Sequence, residues 1–312
     1  MFLLVVSGMS LNTRYLLNMA YIGTPFRGSQ RQVKGTFPRA PDPSTVQGAL
    51  EMGLKYIHPI QDTVVVMASR TDAGVHALNT TCHFDLYRPN QNILDPVTIM
   101  WGLNKFFYKE EVPIRILNSK IVPPDFHSRT NAISRTYLYR LIIGKCDLER
   151  SAPFGHFAPI EEVNRAHFFC TNNFNVDLMR LAAKQFEGFH DFRTFMGAIR
   201  DDDKLTRREI FSIDIVERKK EDIGVSPKHS WPRCAEINCL ADSHLILNIY
   251  FKGKGFLYKQ VRRIAGTLIA AGTARVSLKD IQYMLQIPSK NSWISSIKTL
   301  PGHGLYLCEI EY

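Results

Sequence analysis

The sequence predicts an α+β fold built on antiparallel sheet, and three observations lead there. Runs of β-branched and aromatic residues alternate with helical patterns, but without the strict strand–helix–strand order of a parallel sheet. No self-similarity appears at solenoid periods. The 312 residues suffice for one large domain or two ordinary ones, each able to bury a core.

The elements follow in order. Residues 1–13 read as a short N-terminal leader, residues 14–118 as a first α/β half and residues 119–312 as a second. Arg14 to Ile22 (RYLLNMAYI) is a first strand, followed by a Gly/Pro-rich basic loop. Ser44 reads as an N-cap with Gln47 completing a capping box. Val46, Leu50, Gly53, Leu54 and Ile57 share one helical face, and Pro59 stops that helix. Val64 to Ala68 is a buried-strand candidate, leading through SRTDAGVHA into a second strand that runs to about Leu86. A helix at 97–107 and a strand at 114–117 close the first half.

In the second half, Arg135 to Ile143 is a strand of β-favouring residues. Residues 176–186 are helical until GFHDF breaks the pattern, and strands are expected at 210–216 and 245–251. Residues 217–236 read as a charged surface insertion. Val261, Ile264, Ala265, Leu268 and Ile269 form the stripe of a helix that starts near Phe256, with Gly272 as its C-cap. A final strand occupies 305–310.

Composition narrows the function. Hydrophobic residues make up 45% and charged residues 22%, ordinary globular values. No apolar run approaches the roughly 18 residues of a spanning helix, so no membrane partner is expected. Net charge is +10 and the pI about 9.3, which predicts attraction to a polyanion. The six cysteines are scattered without metal-ligand spacing, which fits a reducing compartment and no zinc site.

The cations are clustered. Tyr250 to Arg263 holds Lys252, Lys254, Lys259, Arg262 and Arg263 among four aromatics without an acid, and His127 to Arg140 holds Arg129, Arg135 and Arg140. With the acid-free residues 1–41, these make three patches that mix phosphate-binding cations with rings able to stack on unpaired bases. A solvated surface over core aromatics accounts for any one patch about as well; three together favour RNA. Between two strands, Ser69 to His76 offers Asp72 either as a turn cap, with Gly74 at positive φ, or as a carboxylate presented to a cleft beside Arg70. His76 reads as a hydrogen-bonded structural group, and Asp201 to Asp203 as an exposed loop rather than a metal site.

Arg70-Thr71-Asp72-Ala73-Gly74-Val75-His76-Ala77 resembles the signature of the TruA family of tRNA pseudouridine synthases. Ser134 to Arg140 (SRTYLYR) resembles the family's tyrosine-bearing strand, Phe256 to Arg263 (FLYKQVRR) its arginine-bearing helix start, and Gly304 to Leu307 its closing strand. All four stand in family order over nearly the whole chain. The wording is similar to the metazoan pseudouridine synthase-like branch, several of whose members are mitochondrial. That implies a mitochondrial location, with cytosol or nucleus as alternatives.

The resemblance implies a pseudouridine synthase fold, two α/β halves sharing a central antiparallel sheet with the catalytic cleft between them. It implies a homodimer acting on RNA, tRNA foremost, at the anticodon stem-loop, with no cofactor and no metal. Asp72 occupies the nucleophile position, Arg262 that of its charge partner, and Tyr137 that of the tyrosine that stacks on the base and assists removal of the C5 proton. Arg70 matches an arginine that displaces the target nucleotide, and Leu305 an apolar residue against the flipped base. Lys252, Lys254 and Arg135 are expected to bind substrate. The alternative is a non-catalytic RNA-binding or RNA-folding protein on the same scaffold. The presence of Asp72, Tyr137 and Arg262 favours the enzyme.

Overall fold

The computed structural model describes residues 11–31, 41–58, 60–88, 93–144, 160–197, 205–218 and 245–312. Most of the expected leader, Lys34 and Arg39 of the basic loop, Pro59, Asp201 to Asp203 and nearly all of the 217–236 insertion lie outside the described residues. The chain divides into two compact units, residues 1–133 with 309–312, and residues 134–308. The fold is mixed α+β, with ten strands and five α-helices among the described residues and mostly antiparallel ladders.

In the first unit, β1 (Leu11–Tyr21) pairs antiparallel with β3 (His76–Arg88) and β4 (Ile114–Ile121), and β2 (Val66–Met67) pairs with β3. Two helices, α1 (Val46–Ile57) and α2 (Pro96–Lys109), pack on each other. The approach is close because glycines face the contact: a Cβ on Gly53 would stand 2.9 Å from the Leu103 side chain, and one on Gly102 2.8 Å from Ile57. Leu50, Leu54, Leu103 and Phe107 are fully buried, each adding about 1.5–3 kcal/mol by leaving water.

The N-cap of α1 is Thr45, not the expected Ser44. The Thr45 hydroxyl accepts from the Gly48 N–H at 3.2 Å, whereas the Ser44 hydroxyl donates to Asp42. Gln47 is drawn inward instead of closing a capping box, and donates to Glu51 and to the Val65 carbonyl, both at 3.0 Å.

In the second unit, β5 (Ser134–Gly144) pairs antiparallel with β9 (Leu245–Gly253) and parallel with β6 (His167–Cys170). The ladder continues antiparallel through β8 (Arg207–Arg218) to β7 (Gly188–Asp191). The last strand, β10 (Leu305–Glu311), belongs to this unit up to Cys308. Helix α3 (Val176–Lys184) packs against α4 (Gln260–Gly272), which is buried on nearly every face from Ile264 onward, and α5 (Leu278–Gln286) follows.

Two expectations change here. GFHDF does not merely end a helix: Gly188 at φ +96° turns the chain into β7. Gly272 is not a C-cap but the last helical residue, with Thr273 as cap. Its missing side chain serves packing, since a Cβ there would meet the Phe174 ring at 2.7 Å.

Candidate active site

In the first unit Asp72 sits in the turn between β2 and β3, and the residue before it is clamped. The Thr71 N–H donates to the Ser29 hydroxyl at 2.8 Å, and the Ser29 N–H donates back to the Thr71 carbonyl at 3.1 Å. Thr71 Oγ1 shares a 2.8 Å hydrogen bond with the Tyr21 hydroxyl. Ser29 is wholly buried and Thr71 nearly so, so these bonds are shielded from water. Beyond Asp72, the Val75 N–H closes the turn onto the Asp72 carbonyl at 3.2 Å, and Gly74 adopts φ +76° as its place in the turn requires. None of these bonds uses the Asp72 carboxylate.

The bracing segment comes from the loop after β1, and glycine lets it approach. A Cβ on Gly23 would fall 1.9 Å from the Val75 carbonyl oxygen, so only glycine fits. The Gly23 N–H donates to His76 Nδ1 at 3.0 Å, which makes the buried His76 a structural acceptor, as expected. Further along the loop, Arg31 is tied by its ion pair with Glu51 at 3.0 Å and by its N–H on Gln47. Burial raises the Glu51 carboxyl above its usual range, against the pull of the Val65 N–H and Arg31. Arg70, next to the clamp, is exposed.

The second unit gathers the remaining expected residues. Tyr137 on β5 is buried, paired in register with Phe251, and its ring meets Phe256 edge-on at 5.3 Å. Arg135, two residues earlier on the same strand face, donates to the Lys254 carbonyl at 2.7 Å. Lys252 lies opposite Thr136 on β9, and Lys254 is exposed just past that strand. The helix start is fixed by Gln260, whose side chain accepts from the Leu257 N–H at 2.7 Å while Lys259 takes a left-handed φ of 58°.

Arg262 and Arg263 both reach main-chain carbonyls but serve different segments. Arg262 Nε donates to the Leu300 carbonyl at 2.6 Å, and the Leu300 N–H returns a bond to the Arg262 carbonyl at 3.3 Å. Gly266 makes room for that segment, since a Cβ there would stand 2.1 Å from the Lys298 carbonyl oxygen. Arg263 donates to the Thr194 and Met196 carbonyls at 3.0 and 2.6 Å and lies 4.1 Å over the Trp293 ring. Burial lowers its pKa, the signature of a cation spent inside the fold.

The segment that Arg262 grips continues to Leu305. The Tyr139 hydroxyl, on the same β5 face as Tyr137, donates to the Pro301 carbonyl at 2.9 Å, and Gly304 lies against the Tyr139 ring. Burial pushes that hydroxyl's pKa up, offset by the charge of Arg262. Leu305 itself is buried. Its neighbour Tyr306 is anchored by donating to the Arg165 carbonyl at 2.7 Å. Tyr137, Arg262 and Leu305 are thus linked through β5 and residues 298–305.

The clamp on Thr71, the Tyr139 anchor and the Arg263 staple were not foreseen. Only the closely spaced glycines of IGTPFRGSQ hinted that the loop after β1 lies against something.

A family model described as tRNA pseudouridine synthase matches residues 182–312. The chain is 30% identical to a mouse protein named tRNA pseudouridine synthase-like 1, over 97% of this chain and 95% of the relative. It is 29% identical to a Xenopus laevis protein of the same name, over 97% and 92%. It is also 30% identical to tRNA pseudouridine synthase A of Listeria monocytogenes, over 96% and 99%. The chain therefore belongs to the TruA family of tRNA pseudouridine synthases, isomerases that convert uridine to pseudouridine in tRNA.

Proposed function

We propose that Asp72 is the catalytic carboxylate of this isomerisation and that the target uridine lies in the anticodon stem-loop of tRNA. One observation carries the reading: the turn that presents Asp72 is braced through Thr71 by buried hydrogen bonds to Ser29 and Tyr21. A preorganised carboxylate loses little motion on reaching the transition state.

In the reaction the bond from N1 of the base to C1′ of the ribose breaks and a bond from C5 to C1′ forms. N1 gains a proton and C5 loses one, so no electrons enter or leave. Asp72 attacks or stabilises the electrophilic centre. Arg262 stands at the position of its charge partner, as the resemblance implies. Tyr137 stacks on the base and assists loss of the C5 proton. Arg70 displaces the target nucleotide from its stack, and Leu305 packs against the flipped base. Arg135, Lys252 and Lys254 hold phosphates, with Arg135 already oriented by the Lys254 carbonyl. The resemblance to the TruA family supports a homodimer, and that to its pseudouridine synthase-like branch a mitochondrial location, with cytosol or nucleus as alternatives.

Mapping pseudouridine in tRNA transcripts incubated with the protein tests the site. New modification confined to the anticodon stem-loop is expected. Modification elsewhere in the tRNA would overturn the choice of target while leaving the role of Asp72 to its own test.

A further inference from the structure

One surface of the first unit takes no part in the reading above. Ile99, Leu103 and Phe107 form the fully buried stripe of α2. Val97, Trp101, Lys105 and Tyr108 follow one another at spacings of four, four and three on another face of the helix. Three of these are large apolar groups in water: Val97 is 51% exposed, Trp101 69% and Tyr108 78%. Together with Arg115 at the start of β4 they line a depression of about 970 Å³.

Scattered apolar residues on a surface need no explanation, but a contiguous group of the largest side chains does. The charges identify its complement. The two charged lining residues, Lys105 and Arg115, are both cations. The floor is preorganised: the Asn104 side chain both donates to the Ile116 carbonyl at 2.9 Å and accepts from the Ile116 N–H at 2.8 Å, which locks α2 to β4. Gly102 keeps α2 close against α1.

We infer that this groove is a second RNA contact, which takes an unpaired nucleotide of the substrate tRNA outside the reacting uridine. Trp101 and Tyr108 offer faces on which any base can stack, and Lys105 and Arg115 hold the flanking phosphates. Charge points to RNA as the occupant, because both charged lining residues are cations and phosphates are their complement. The inference rests on tRNA as substrate and not on the assignment of Asp72.

The test measures equilibrium binding of an unmodified tRNA transcript at several salt concentrations, with single-turnover rates at saturating tRNA. Trp101→Ala should weaken binding about 5- to 150-fold, the range that base–aromatic stacking supports. Trp101→Phe should recover part of the loss. Lys105→Ala should lower the salt slope by about one phosphate contact. Rates at saturating tRNA should match wild type in all three variants, because the groove binds and does not react. Wild-type affinity in both Trp101→Ala and Lys105→Ala would overturn the proposal. So would a Trp101→Ala variant that changes from dimer to monomer in sedimentation, since the groove would then belong to a second copy.

Discussion

The turn that carries Asp72 and the helix start that carries Arg262 are both rigid, but they are held by different kinds of group. The Asp72 turn is fixed through its neighbour Thr71, by the buried Ser29 and by glycines that admit another stretch of backbone. The α4 start is held by side chains, with Gln260 accepting from the Leu257 N–H and the two arginines bonded to main-chain carbonyls. The Asp72 turn is thus braced by Thr71 and Ser29, whereas the Arg262 side chain itself grips residues 298–305. A substitution at Arg262 therefore reads out the placement of that segment together with the reaction.

The largest effect should come from the backbone contact beneath the first region. Gly23→Ala forces a Cβ to 1.9 Å from the Val75 carbonyl oxygen, with no flexible side chain to give way. A loss of about 3 kcal/mol or more in denaturant unfolding is expected, with turnover abolished. A variant of wild-type stability and activity would show that the two loops are not held in contact.

Next comes the pair of arginines. Arg263→Ala removes two part-buried main-chain bonds and a cation–π contact, and should cost about 1–3 kcal/mol of stability. Arg262→Ala should cost less stability and far more single-turnover rate. Arg262→Lys should not restore the rate, because an ammonium is a point charge and cannot reproduce the planar, multi-donor fork of a guanidinium. Equal losses of rate at the two positions, after correction for the folded fraction, would contradict the division of labour between them.

Acid offers a comparison that should treat the two regions alike. His83 in the first unit and His167 in the second are both held by burial at a pKa of about 4. Each folded pKa lies below the unfolded value of about 6.5, so the unfolded chain binds more protons between those limits. Stability should be full above about pH 6.5 and fall as pH drops towards 4, by on the order of 1 to 2 kcal/mol per ring at pH 5. His83→Gln and His167→Gln should each flatten part of the slope. A slope unchanged in both variants would place the acid sensitivity elsewhere.

The smallest stability effect belongs to Ser29→Ala, which strands the buried Thr71 N–H at a cost of about 1 kcal/mol. Its effect on rate should be larger in proportion, about 10- to 100-fold, because the turn that aims Asp72 loosens. tRNA affinity should stay close to wild type. Unchanged single-turnover rates would show that the clamp is not needed for positioning.

What could be read from the sequence follows the same division. β5 and β9 are dense in β-formers and pair with each other over most of their length, so local preference and tertiary outcome agree. The four-residue strands β6 and β7 carry little local signal; β6 exists because β5 offers a parallel partner, and β7 because β8 offers an antiparallel one. At the site, Asp72, Tyr137 and Arg262 stood out because they occur inside local motifs. Ser29 did not, because its partner Thr71 is 42 positions away and a serine in a basic loop has no pattern of its own. The exchange of Ser44 for Thr45 as N-cap has a similar cause: both suit the position, and the choice turned on Asp42, which takes the Ser44 hydroxyl.

Asp72, as proposed above, supplies a reacting group that no other residue of its turn can replace. Its most direct test measures single-turnover pseudouridine formation, tRNA affinity and thermal unfolding on wild type and Asp72→Asn in parallel. Asn keeps the size of the side chain and its capacity to accept a hydrogen bond but supplies neither the charge nor the nucleophilic oxygen. Turnover should fall at least about a thousandfold, with affinity near wild type and stability within about 0.5 kcal/mol. An Asp72→Asn enzyme that still forms pseudouridine at close to the wild-type rate would contradict that role.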